Sequence, residues 1–109
     1  MSELSDKTCV PCTTDVPALK GPELARLHGQ IPAWELVGEH HLKRRFRFAD
    51  FRRALDFVNR VGVLAEEQGH HPDIGFGWGW AEITIFTHNI DGLTENDFIL
   101  AAKVDGLQS

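Results

Sequence analysis

His70 and His71 stand side by side, Glu66 lies one helical turn before them, and His88 follows two extended stretches later. An unperturbed imidazole titrates at about 6.5, so it gives or takes a proton at neutral pH. Several imidazoles beside a carboxylate suit a reaction that needs an acid and a base in one cavity. In that arrangement Glu66 orients a ring nitrogen. Two simpler readings compete on spacing alone. His70-His71-Pro72 also suits a polar loop that ends a helix. Three histidines also suit zinc or iron, but adjacent ligands rarely serve one tetrahedral centre, so no metal is assigned.

The elements around these residues must bring them together. Residues 50–68 carry the clearest helical pattern. At ~100° per residue, Phe51, Ala54, Leu55, Phe57, Val58, Val61, Leu64 and Ala65 fill one half of the circle. Arg52, Arg53, Asp56, Asn59, Arg60 and Glu67 fill the other, with Val63 the one apolar residue among them. Glu66 sits at the border of the two halves and Glu67 in the middle of the wet one. Gly69 closes this helix.

Leu42 to Phe48 alternates with period two. Leu42, Arg44, Phe46 and Phe48 share one face; Lys43, Arg45 and Arg47 share the other. Trp34 to Val37 reads as a partner strand across a turn at Gly38, with Trp34 in the core and His40 and His41 exposed near the turn. A second pair follows the histidine loop: Gly75-Phe76-Gly77-Trp78-Gly79-Trp80, then the β-branched run Ala81 to His88. If the first stretch is extended, its glycines leave one bare face, open to another backbone or a flat ligand. The strand that leaves the loop and the one that returns bring His88 back to the same end of the sheet.

A short helix opens at Gly21-Pro22-Glu23, where proline does no harm. A last helix starts at Thr94 and carries Phe98, Ala101, Ala102 and Val104. Thr94-x-x-Asp97 is a capping-box pattern, which by itself explains Asp97. The order α-β-β-α-β-β-α predicts an α+β two-layer sandwich, a four-stranded antiparallel sheet with helices on one face. Residues 1–19 read as an irregular N-terminal arm and residues 20–109 as one domain.

Composition narrows the function classes. The chain has 109 residues, 42% hydrophobic and 25% charged, with a formal net charge of -5. That balance argues against a nucleic-acid binder. No apolar run is long enough for a membrane span, and the start lacks a secretory pattern, so a cytoplasmic location is the default expectation. Cys9 and Cys12 are too few for a disulfide framework. They read as two free thiols in the arm; a metal or redox site built on them has no second CxxC and no βαβ context. Lys43, Arg45 and Arg47 read as a solvated strand face.

Glu66-x3-His70-His71-Pro72, Trp78, His88, Gly92-Leu93-Thr94 and Asp97 together resemble the signature of the pterin-4a-carbinolamine dehydratases. Phe48-Ala49-Asp50-Phe51, Leu100-Ala101 and Trp34 add to the likeness, which runs from about residue 20 to about residue 105. The resemblance implies a dehydratase that converts 4a-hydroxytetrahydropterin to quinonoid dihydropterin and water, in tetrahydrobiopterin recycling. It implies no metal and no cofactor, the pterin being the substrate, and a functional link to an aromatic amino acid hydroxylase. His70, His71 and His88 become the catalytic histidines, supported by Glu66 and Asp97. His71, Trp78 and Thr87 become substrate-binding, His71 as anchor and Trp78 bordering the flat ring. Homodimers or homotetramers are also implied. The sequence departs from the family in its dense glycine run, Gly75 to Gly79, and in Ile74, where an aromatic is expected. The competing function is a protein-binding or regulatory module, a dimerisation partner or transcriptional coactivator; a weaker third is a metal-binding protein using Cys9, Cys12 and histidines.

Overall fold

The computed structural model describes Leu4, Lys7 and residues 18–107. Its elements run α1 (Gly21–His28), β1 (Glu35–Val37), β2 (His41–Arg47), α2 (Phe51–Gln68), β3 (Asp73–Gly77), β4 (Trp80–Ile85) and α3 (Glu95–Gly106). The four strands form one antiparallel sheet in the order β1-β2-β4-β3. This is the α+β architecture that the alternation predicts.

Register decides which side chains face the helices. Leu42, Arg44 and Phe46 of β2 lie opposite Ile85, Ile83 and Ala81 of β4, and this row is the inner face. Leu42, Phe46, Ala81, Ile83 and Ile85 are fully buried there. Arg44 shares that face because its charge is answered. Its guanidinium donates to the Asp105 carboxylate at 2.6 Å and lies 4.4 Å from the Phe46 ring centroid. The Trp34 indole N–H donates to the same carboxylate at 2.8 Å, so a buried tryptophan and a strand arginine converge on α3.

α2 begins where Asp50 accepts from the Arg53 backbone N–H, an N-cap bond, and stops at Gly69 in the left-handed region, φ 64°. It buries Ala54, Phe57, Val61 and Ala65, at i, i+3, i+7 and i+11 of one stripe. Phe51 departs from the expected face: at the first position of α2 it is exposed, with its ring 5.5 Å from that of Phe76. Val63, the apolar residue on the wet half, is exposed. α3 is buried nearly all round, from Asn96 to Ala102, as a helix enclosed by its neighbours must be.

The expected bare glycine face is filled from within. Gly75 and Gly77 of β3 lie opposite Glu82 and Trp80 of β4 on the outer face. The Trp80 indole spreads across both glycines: a Cβ on Gly77 would sit 2.6 Å from its Nε1. Arg45 then covers the indole, 4.5 Å from the ring, and pairs with Glu82. The Trp78-Gly79 turn that joins β3 to β4 needs Gly79 at φ 83°.

Of the N-terminal residues, Leu4 is buried in the core and Lys7 pairs with Glu95 at 2.7 Å. Cys9 and Cys12 lie outside the described residues. Among the described residues, no helix is long and apolar enough to cross a membrane.

Candidate active site

β3 leaves the histidine loop and β4 returns to it, since Asp73 pairs with Thr84. The chain beyond β4 therefore passes the His70-His71 loop at residues 86–88. A tight turn follows. Thr87 and Gly92 exchange backbone hydrogen bonds, and His88–Ile90 form one turn of 3-10 helix closed by Asp91 at φ 51°. The periodicity of β4 gave no sign of this turn, which is three residues long.

Asp97 ties the two segments together. It is 0% exposed, and its carboxylate accepts three hydrogen bonds. Oδ1 accepts from His70 Nε2–H at 2.6 Å. Oδ2 accepts from the Thr87 hydroxyl and from the Thr94 backbone N–H, both at 2.8 Å. A carboxylate only accepts, so His70 carries its proton on Nε2 and leaves Nδ1 for exchange. The Thr87 hydrogen is spent on Asp97, so in the 3.2 Å contact between the two threonine hydroxyls Thr94 is the donor. Three donors meet the demand of a buried charge for partners. The capping box at α3 is present as the sequence predicts. Asp97 serves the helix with one oxygen and His70 with the other.

His71 and Glu66 form a second pair, His71 Nε2 to Glu66 Oε2, and both side chains are exposed. Glu66 thus reaches His71 and not His70. His88 differs again. Its ring lies against Phe86, with centroids 4.1 Å apart and planes at 40°. Phe86 alternates away from the buried Ile85 and Thr87, on the outer side of the strand. Among the described residues, no hydrogen bond or ring contact joins His88 to His70 or His71. His70 connects to the His88 segment through Asp97 and Thr87.

The remaining predicted residues fall in two places. Thr87 is buried, with its hydroxyl and both backbone groups engaged inside the chain. Trp78 is 71% exposed at the tip of the β3–β4 turn. It is separated from the histidine loop by the length of β3, about 16 Å at ~3.3 Å per residue. His40 and His41, expected to be exposed, are half-buried instead. They pack against Phe86, at 4.8 and 6.5 Å between centroids, because the 87–92 turn folds back onto the β1–β2 turn. Among the described residues, no group of three His, Cys, Asp or Glu side chains has metal-binding geometry.

The described residues form a small α+β fold in which a buried carboxylate grips a histidine at the end of the central strands. The family model for pterin 4 alpha carbinolamine dehydratase matches residues 17–107, and the chain belongs to that family. A Rubrobacter xylanophilus protein named "Putative pterin-4-alpha-carbinolamine dehydratase" is 72% identical over 98% of this chain and 100% of its own. One of the same name from Alkaliphilus metalliredigens is 47% identical over 100% and 99%. Among solved structures, a Brucella melitensis "transcriptional coactivator/pterin dehydratase" superposes with a TM-score of 0.78 at 27% identity, over 84% of this chain and 99% of that one. A "pterin dehydratase-like protein" described as a RuBisCO assembly factor of the alpha-carboxysome gives 0.60 at 31% identity, over 69% and 88%.

Proposed function

We propose that the chain dehydrates 4a-hydroxytetrahydropterin to quinonoid dihydropterin, with His70, His71 and His88 as catalytic residues. The C4a–O bond breaks as the oxygen takes a proton and leaves as water. The N5 hydrogen goes to a base as the C4a=N5 bond forms. Hydroxide is a poor leaving group, so the acid matters most; such help is typically worth ~10²–10⁴-fold. His70 and His88 transfer protons, and His71, held by Glu66, anchors the substrate. The observation that carries this reading is the buried Asp97, which fixes the His70 tautomer while Thr87 fixes the chain beside His88. No cofactor or metal enters. The substrate arises where aromatic amino acid hydroxylases use their pterin, which places the chain in tetrahydrobiopterin recycling, in the cytoplasm. Among the described residues β1 and β3 are the edge strands of the sheet, which suits a homodimer or homotetramer.

The test is the decay of the 4a-carbinolamine absorbance with purified protein. Acceleration over buffer that falls at least about 100-fold in His70→Ala supports the reading. No acceleration by the wild-type protein overturns it.

The names of the two structural relatives favour a second reading, a protein-binding module. It predicts a partner complex that persists in a His70→Ala/His88→Ala double variant, and a complex lost with the histidines counts against it.

A further inference from the structure

Resting on the dehydratase reading of His88, we propose that Phe86 and His40 are positioning residues that hold the His88 imidazole in its working orientation. His88 sits exposed in a three-residue turn. Among the described residues its ring has no hydrogen-bond partner, and the Phe86 ring at 4.1 Å is what it rests on. A proton donor works only near its productive geometry, and a displacement of ~1 Å costs up to ~10²-fold in rate. Something must stop this ring from turning freely.

Phe86 is half-buried between the buried Ile85 and Thr87: it packs in part against the core and also meets the His88 ring. The Phe86 ring also contacts His40, 4.8 Å away with planes at 39°. The result is a chain of tilted ring contacts, His40 to Phe86 to His88, linking the β1–β2 turn to the 3-10 turn.

His40 is itself fixed at both ring nitrogens. Nε2 meets Asp91 Oδ1 at 2.7 Å, and Nδ1 meets His41 Nδ1 at 3.0 Å. The carboxylate can only accept, so Nε2 carries a hydrogen, and in the neutral ring Nδ1 accepts from His41 Nδ1–H. Asp91 closes the same turn that His88 opens, its N–H bonding His88 O at 3.2 Å. The His88 turn is therefore held from within by Thr87 on Asp97 and from outside by Asp91 on His40. The outer hold ends in the chain of ring contacts.

The experiment follows histidine ring signals by NMR in the uncomplexed protein, alongside steady-state kinetics. In the wild type, His88 ring protons appear upfield through the Phe86 ring current; His88→Gln assigns them. Phe86→Leu moves those signals towards free histidine and lowers kcat about 10-fold while KM stays within about twofold. Phe86→Trp, which keeps an aromatic face, retains both. His40→Asn gives a smaller change in the same direction, and it carries the test if Phe86→Leu does not fold. Unchanged His28 signals, from a ring bonded to Trp34 O elsewhere in the chain, certify the fold of each variant. His88 signals and kcat that do not respond in Phe86→Leu and His40→Asn overturn the proposal. A wild type without dehydratase activity defeats the reaction assignment, while the ring signals still decide whether Phe86 and His40 hold His88.

Discussion

His70 and His88 reach the same end of the sheet and are held in opposite ways. His70 is gripped by hydrogen bonding to a carboxylate with no exposure, which in turn satisfies Thr87 and the first turn of α3. His88 stands in water against one aromatic ring. A buried polar network couples catalysis to folding, because each member leaves a partner stranded when removed. A stacked surface ring carries no such debt. The two histidines should therefore separate activity from stability.

The largest effect tests that separation. His70→Ala and His88→Ala each lose ~10²–10⁴-fold in dehydration rate. Their unfolding curves in urea should diverge. His70→Ala removes a donor from the buried Asp97 and loses about 1–3 kcal/mol. His88→Ala, at an exposed site, stays within about 0.5 kcal/mol of wild type. Equal stability losses in the two variants would break the comparison.

Asp97→Ala comes next and acts on the buried side alone. It removes the Asp97 half of the α3 capping box and leaves the Thr94 N–H, Thr87 and His70 without their acceptor, for a total of about 2–4 kcal/mol. Glu66→Ala is its surface counterpart. Its partner His71 is exposed, so stability stays within about 0.5 kcal/mol. A midpoint shift for Glu66→Ala as large as that for Asp97→Ala would mean the surface pair is also structural.

What the sequence made legible follows the same division. The eighteen-residue α2 declared itself through a long period, the Asp50 cap and the Gly69 stop. The Asp97 cap was visible as Thr94-x-x-Asp97 because capping is local. The bond from Asp97 to His70 was not, since it spans twenty-seven residues and depends on how α3 docks. Period two marked Gly75 and Gly77 as a bare face, but only register with β4 shows that Trp80 occupies it. In the sequence Phe86 is one more hydrophobic residue in a strand-like run. Its neighbours, His40 and Asp91, come from two turns whose meeting no local pattern encodes.

The glycine face offers a smaller, independent test on the outer layer. Gly77→Ala places a Cβ 2.6 Å from Trp80 Nε1 and 3.0 Å from Cε2. The indole must leave its seat, and Arg45 loses its stacking partner. Overpacking of this kind costs about 1–3 kcal/mol, towards the low end here because Trp80 is half-exposed and can swing outward. Tryptophan emission should shift to the red. An unshifted spectrum with unchanged stability would show that the indole does not rest on β3.

The smallest effect returns to the outer hold of His88. Burial, then His40, then Lys43 push the His41 pKa below its ordinary value, with Glu35 partly opposing them. The unfolded chain therefore takes up a proton on His41 at a higher pH than the folded protein does. By linkage, stability from this group is fully present above about pH 6.5 and declines as pH falls below it. It is gone below the folded-state pKa. Urea midpoints at about pH 7.5 and about pH 5 should differ more in the wild type than in His41→Asn, which cannot titrate there. The other five histidines are present in both proteins, so the difference between the two slopes reports on His41. Identical slopes would mean that burial and the neighbouring charges do not hold the His41 pKa below its ordinary value.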